Sequence, residues 1–175
     1  MQFNHDNMTG VQLASELVNL LADGDWKASR VEEVLNKHAI RWSAVDDGTT
    51  GALRRWTVRL RAVFVAENAE IRCGAVNSLL VDGVNGVYLT THDGLRPHLH
   101  FAPDENDIVG RVTAVTAGGL ALFTVEAGGL RLGECSAHRC NRVFVDTSRN
   151  GRRAYCRTRC ANGDAVARHR RRPRI

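Results

Sequence analysis

The apolar positions at the start of the chain recur at three- and four-residue steps, the period of helices buried on one side. Val11, Leu13, Ala14, Leu17, Val18, Leu20 and Leu21 give residues 9–21 a broad apolar face, with Thr9 placed to cap the helix and Gly24 to stop it. Val31, Val34 and Leu35 predict a second helix over 28–38. A polar connection over 43–51 carries the turn cluster Asp46-Asp47-Gly48-Thr49-Thr50-Gly51. The clearest helix follows over 52–68, with Leu53, Trp56, Leu60, Val63 and Phe64 inward and Arg54, Arg55, Arg59 and Arg61 outward. Those arginines read as a solvated face paired with Glu67 and Glu70, in preference to a ligand or nucleic-acid surface. Residues 69–80 predict a fourth helix, in which Cys73, amid Ile71, Val76 and Leu79, reads as a buried apolar residue.

The period shortens after 84. Residues 84–91 and 95–101 predict two strands joined at His92-Asp93-Gly94, where the Asp-Gly pair favours a hairpin. His98 and His100 flank Leu99 and share one face, and His92 could approach them. Three imidazoles can bind a metal or move protons, but no carboxylate or nucleophile stands at a recognisable spacing. The expected role is polar residues on an exposed hairpin. Pro103 to Asp107 predict a helix entry, and 108–127 a long helix in which Gly118-Gly119 allows a kink or close packing. Ala127-Gly128-Gly129 mark the boundary between a helical domain, 1–129, with its hairpin near 84–101, and a second unit, 130–175, that opens on a short strand over 130–134.

That second unit holds four of the five cysteines, as Cys135-x4-Cys140, fifteen residues, then Cys156-x3-Cys160. Two close pairs separated by a short insert have the spacing of a structural zinc site, with Cys135, Cys140, Cys156 and Cys160 as ligands to one Zn2+. His138, inside the first pair, is an alternative ligand. The insert contains Asn150-Gly151, the favoured pair of a tight hairpin turn, between Val143-Phe144-Val145 and Arg153-Ala154-Tyr155. After Cys160 the composition is helical as far as Pro173. Knuckle, hairpin and helix make a treble-clef-like finger, so the expected fold is mainly α with a small β-hairpin (α+β): a helical N-terminal domain followed by the finger.

Charge divides along the same boundary. Residues 131–175 hold thirteen arginines against Glu134, Asp146 and Asp164, a balance of +10. Residues 1–130 hold eleven Lys and Arg against sixteen Asp and Glu, a balance of −5. The finger thus carries a positive field that the rest of the chain lacks. With no run of eighteen apolar residues, no basic-then-apolar leader and cysteines spaced for metal, the expected location is the cytoplasm, with no membrane partner.

The four cysteines, the run from Val143 to Arg153, Tyr155 before the third cysteine, and Ala167-Arg168-His169-Arg170-Arg171 together resemble the CGNR zinc finger family. The chain departs from that family where its naming tetrad would fall, reading Cys160-Ala161-Asn162-Gly163, and its last cysteine gap is one residue shorter. The preceding part resembles the helical ABATE domain in size, position and helix order. The resemblance implies a bacterial transcription regulator, with DNA bound by the finger and a sensing or assembly role for the N-terminal domain.

The leading expectation is therefore a zinc-dependent DNA-binding regulator. Duplex phosphates or base edges would meet Arg149, Arg152, Arg153, Arg157 and Arg159 around the hairpin, and Arg168, Arg170, Arg171 and Arg172 on the last helix. An effector ligand or protein would engage the N-terminal domain, and the chain leaves room for a homodimer. A zinc-stabilised protein-interaction module is the alternative. RNA binding ranks lower, because Phe144 and Tyr155 are the finger's only aromatics for base stacking. No nucleophile motif or phosphate loop is present, so no enzymatic activity is expected.

Overall fold

The computed structural model describes residues 5–40, 45–91, 97–101 and 108–171. Five helices come first in its element order: α1 (His5–Ala22), α2 (Ala28–Lys37), α3 (Asp47–Val65), α4 (Ala69–Gly83) and, after a hairpin, α5 (Ile108–Glu126). The hairpin pairs β1 (Tyr88–Thr90) antiparallel with β2 (His98–His100). Then come β3 (Leu132–Glu134), β4 (Val143–Val145) and α6 (Thr158–Arg171). The fold is mainly helical with two small antiparallel sheets, as the hydrophobic pattern predicts. His92, the Asp93-Gly94 turn and the 103–107 helix entry lie outside the described residues.

Two helix starts move from their expected places. Thr9 lies inside α1 and caps nothing. The Asp46–Gly51 turn cluster is the first turn of α3: the Asp46 carboxylate accepts the Thr49 N–H at 2.7 Å, and Asp47 adds negative charge to the positive end of the helix. Asn68 caps the next helix in the same way, accepting the Ile71 N–H at 2.9 Å, and α3 ends before it, at Val65.

α5 is the central helix. It is long and apolar enough to cross a membrane by length and composition, yet more than half of it is buried inside the protein, against α1, α3 and α4. Its glycines serve close packing, and the helix runs unbroken through them. Gly10 of α1 faces Gly119, and a Cβ added at Gly10 would stand 2.9 Å from the Gly119 Cα. Gly118 seats the Phe101 ring in the same manner. Replacing Gly10 with alanine is therefore expected to push α1 off α5 and destabilise the protein by about 1–3 kcal/mol. Equilibrium urea unfolding measures this, and an unchanged midpoint would contradict the close crossing.

Two of the outward arginines of α3 find other partners than those expected. Arg59 pairs with Asp82 at 2.6 Å and lies over the Trp56 ring, and Arg61 pairs with Glu134 and donates to the Asn141 carbonyl at 2.6 Å. Glu67 and Glu70 lie beyond the end of α3, out of step with that face. Cys73 is exposed, not buried, because the inward stripe of α4 is Arg72, Val76, Leu79 and Gly83.

Arg72 is the polar residue at the heart of that stripe, 5% exposed. Its guanidinium donates to the carbonyls of Val63 at 2.9 Å, Ala66 at 2.8 Å and Leu132 at 3.3 Å, and to that of Gly129. It thereby ties the end of α3 to the segment that leads into β3. Burial draws its pKa below the usual guanidinium value, but an arginine keeps its charge.

β3 and β4 pair antiparallel, Leu132 opposite Val145 and Glu134 opposite Val143. Gly133 faces Phe144, and a Cβ there would stand 2.8 Å from the ring. This pairing replaces the expected one between 143–145 and 153–155. The returning segment forms no strand, and it meets the finger through a single backbone bond, Ser136 N–H to the Ala154 carbonyl at 2.8 Å. Asp146 decides this. Its buried carboxylate accepts the N–H of Ser148 at 2.9 Å and of Arg153 at 2.9 Å, drawing 146–153 into a closed loop with Gly151 at φ +61°. Burial would raise the Asp146 pKa, but the Ser148 and Arg153 bonds and the Arg131 charge prevail and hold it below the ordinary value. Such a carboxylate adds stability that is complete above its unfolded value of about 3.9 and lost as pH falls through the lower folded one.

The two strands rest on α1 and α3, and Leu132, Val143 and Val145 join the same apolar core as the helices. Asn19 of α1 clasps β4: its Oδ1 accepts the Val143 N–H at 2.8 Å and its Nδ2 donates to the Val143 carbonyl at 3.1 Å. Asp23, just beyond α1, pairs with Arg142.

Candidate metal centre and basic surface

Cys135 follows β3 directly, and its N–H bonds the Arg142 carbonyl at 2.8 Å, closing the knuckle. Within the knuckle Cys140 N–H bonds the Ala137 carbonyl at 3.0 Å, and Arg139 adopts φ +64°. The loop ordered by Asp146 delivers Cys156, whose N–H lies 3.4 Å from the Cys135 sulfur. Cys160 stands in the first turn of α6. Phe144 packs with Cys135 and Cys156 in a small buried cluster of their own.

The four sulfurs all lie within 4.8 Å of one another. The Cys140–Cys156, Cys156–Cys160 and Cys140–Cys160 separations are 3.7, 3.6 and 3.8 Å. Four sulfurs at about 2.3 Å from a tetrahedral zinc stand about 3.8 Å apart, so the donor set fits one structural zinc ion and closes its coordination shell. Without a cation these groups could not all ionise. Burial and then the neighbouring thiols push Cys156 up to about 12, whereas Cys135 is lowered: burial opposes this but is outweighed by the N–H groups of Cys156 and Ala137 and by the adjoining thiols. His138 is exposed and outside the cluster, so the donor set that the fold brings together is the four cysteines. This is the one such donor group among the described residues.

The arginines around the centre fall into distinct roles. Arg149, Arg152, Arg153, Arg157, Arg159, Arg168 and Arg170 are all exposed. Arg157 bonds the Cys156 sulfur, which chiefly holds its pKa above the usual value, and stands 4.0 Å from Asp23. Arg168 pairs with Asp164 at 3.3 Å, and Asp164 also accepts the Tyr155 hydroxyl at 2.8 Å. Arg153, also exposed, uses its guanidinium on the framework: it donates to the carbonyls of Tyr155 at 2.9 Å, Val145 at 3.1 Å and Cys156, and lies over the Phe144 ring. Arg171 ends α6, and Arg172 lies outside the described residues. α6 buries no described side chain; only Cys160, Ala161, Asp164 and Ala167 are half-covered, on one stripe. A cleft of about 620 Å³ runs between that stripe and the knuckle, lined by Arg139, Arg142, Arg157 and Arg159 and also by Asp23 and Asp164. Arg139 and Arg142 were not singled out by sequence; their position within and just after the first cysteine pair is the signal that would have found them.

Residues 131–173 match the CGNR zinc finger family. No curated protein matches the chain.

Proposed function

We propose that the chain is a zinc-dependent, DNA-binding transcription regulator, without enzymatic activity, acting in the cytoplasm. The observation that carries this reading is the set of exposed arginines, Arg149, Arg152, Arg157, Arg159 and Arg170, held on the metal-ordered loop and on a helix with no buried side chain. A helix so lightly covered is free to enter a groove, and arginine bonds phosphate as a fork or reads guanine edges. Arg139 adds support. A non-glycine residue at positive φ costs about 1 kcal/mol or more, and the cost is tolerated where it sets a cation beside the cleft. Arg153 belongs to the framework of this surface, since its bonds are spent on carbonyls.

The acidic helical part, which resembles the ABATE domain, senses or assembles in this reading. A second cleft, of about 650 Å³, lies between α1, the end of α2 and β4. A ligand there would touch Lys37 and His38 of the helices and Thr147 and Arg153 of the finger together.

Affinity for duplex DNA is expected to fall steeply with salt, because each neutralised phosphate releases counterions. Roughly four to six contacts give a log–log slope of about −4 to −5. Arg152→Ala or Arg159→Ala should flatten the slope by about one unit if that arginine meets only phosphate, or relax preference at one position by about 1–3 kcal/mol if it reads a base. A zinc-loaded protein with no salt-sensitive affinity for any duplex, but which captures an acidic protein, is instead the interaction module.

A further inference from the structure

The hairpin histidines lie outside everything above. His98 and His100, both half-buried on β2, bring their Nε2 atoms to 3.2 Å of each other, with ring centroids 5.0 Å apart. Alternate residues of a strand point to one face, which is how two rings two residues apart converge. On the neighbouring strand Tyr88 is the cross-strand partner of His100, and its hydroxyl lies 3.4 Å from His100 Nδ1. The His100 ring thus has a polar neighbour at each nitrogen, the tyrosine behind and His98 in front.

We infer that His98 and His100 chelate one exchangeable divalent transition-metal ion through these paired Nε2 atoms. The separation is the argument. Two imidazole nitrogens at about 2.0–2.1 Å from a shared ion stand about 2.9 Å apart at a right angle and about 3.4 Å apart at the tetrahedral angle. The observed 3.2 Å falls between them. Ligation would use the lone pair of each neutral ring, replacing the one N–H···N contact the pair can make by itself. Tyr88 takes the part of the outer partner that commonly orients a ligating imidazole through its second nitrogen. Imidazole is a borderline donor, so the ions it suits are Zn2+, Ni2+ and Cu2+, not Mg2+ or Ca2+. Two neutral imidazoles against four thiolates make this site weaker and faster to exchange than the zinc centre. The inference does not depend on DNA binding.

The test is a calorimetric titration of zinc-loaded full-length protein with Ni2+, with zinc content measured before and after. The expected result is one Ni2+ bound per chain while the finger keeps its zinc, and at least tenfold weaker binding in each of H98Q and H100Q. His138→Gln should bind as the unaltered protein does. Retained zinc and unchanged circular dichroism in the variants show that the fold is intact. No Ni2+ bound beyond the level of the H98Q/H100Q double variant, or equal binding by both single variants and the unaltered chain, would overturn the site and leave the pair as a hydrogen bond.

Discussion

Chelating the zinc, or replacing Cys156 with serine, is expected to abolish the finger's order, and with it the DNA binding proposed for it, while most of the helical signal survives. Structural zinc in finger peptides contributes about 10–16 kcal/mol of binding free energy at neutral pH, far more than the segment can replace. α6 has fourteen residues and none of its described side chains is buried, and an isolated helix of that length is marginal in water. The β3–β4 pair has three residues per strand and would not persist alone. The helices have a core of their own, but Leu132, Val143 and Val145 are part of it. Loss of the finger should therefore lower the melting temperature of α1–α5 as well as remove the signal of α6. Far-UV circular dichroism before and after chelation, with a thermal melt of each state, separates the cases. A purified protein that holds no zinc and whose four thiols react freely under native conditions would dismiss the zinc site; collapse of the whole signal on chelation would show that the helices cannot fold without it.

Arg72→Met should be the most damaging single change outside the metal site, costing about 3–5 kcal/mol. Methionine fills much of the same space but donates nothing, so the carbonyls of Val63, Ala66, Gly129 and Leu132 lose their shared donor. A buried acceptor left without a partner costs about 1–3 kcal/mol, and water can reach some of the four, which keeps the total below their sum. Arg72→Lys should recover only part, because one ammonium cannot span the fork of contacts. Urea unfolding with zinc bound is the measurement. A loss under about 1 kcal/mol would mean that water substitutes freely for the guanidinium.

Arg72 also shows what was legible. Its spacing to Val76, Leu79 and Gly83 is that of one helix face, so the inward stripe of α4 was there to be read. A charged residue at its head obscured it, and Ile71 and Cys73, one step to either side, were read as core although both are exposed. The broad faces of α1 and α3 carried no such conflict and read correctly, and the four cysteines, whose spacing is a local property of the chain, do come together. Strand pairing in the finger is not local. Asn150-Gly151 does turn, but Asp146 closes 146–153 into a loop, and the side of Val143 that residues 153–155 would need is also taken by Asn19, more than a hundred positions earlier. The Asp46 cap was hidden for the opposite reason: a turn cluster and the first turn of a helix use the same residues.

The Asn19 clasp has a bearing on the protein at high concentration. A two-stranded sheet exposes a row of unpaired peptide groups along each outer edge, and a short apolar strand such as Val143-Phe144-Val145 is a template on which further chains can add. Here that edge is already spoken for. The Asn19 amide imitates one more peptide unit and occupies the N–H and C=O of Val143, while the Arg153 guanidinium covers the Val145 carbonyl. A side-chain amide cannot pass the pairing on as a strand would, and a guanidinium places a charge where an incoming strand would have to lie. The clasp that docks the finger on α1, with Arg153 beside it, thus makes β4 a poor seed for edge-to-edge aggregation.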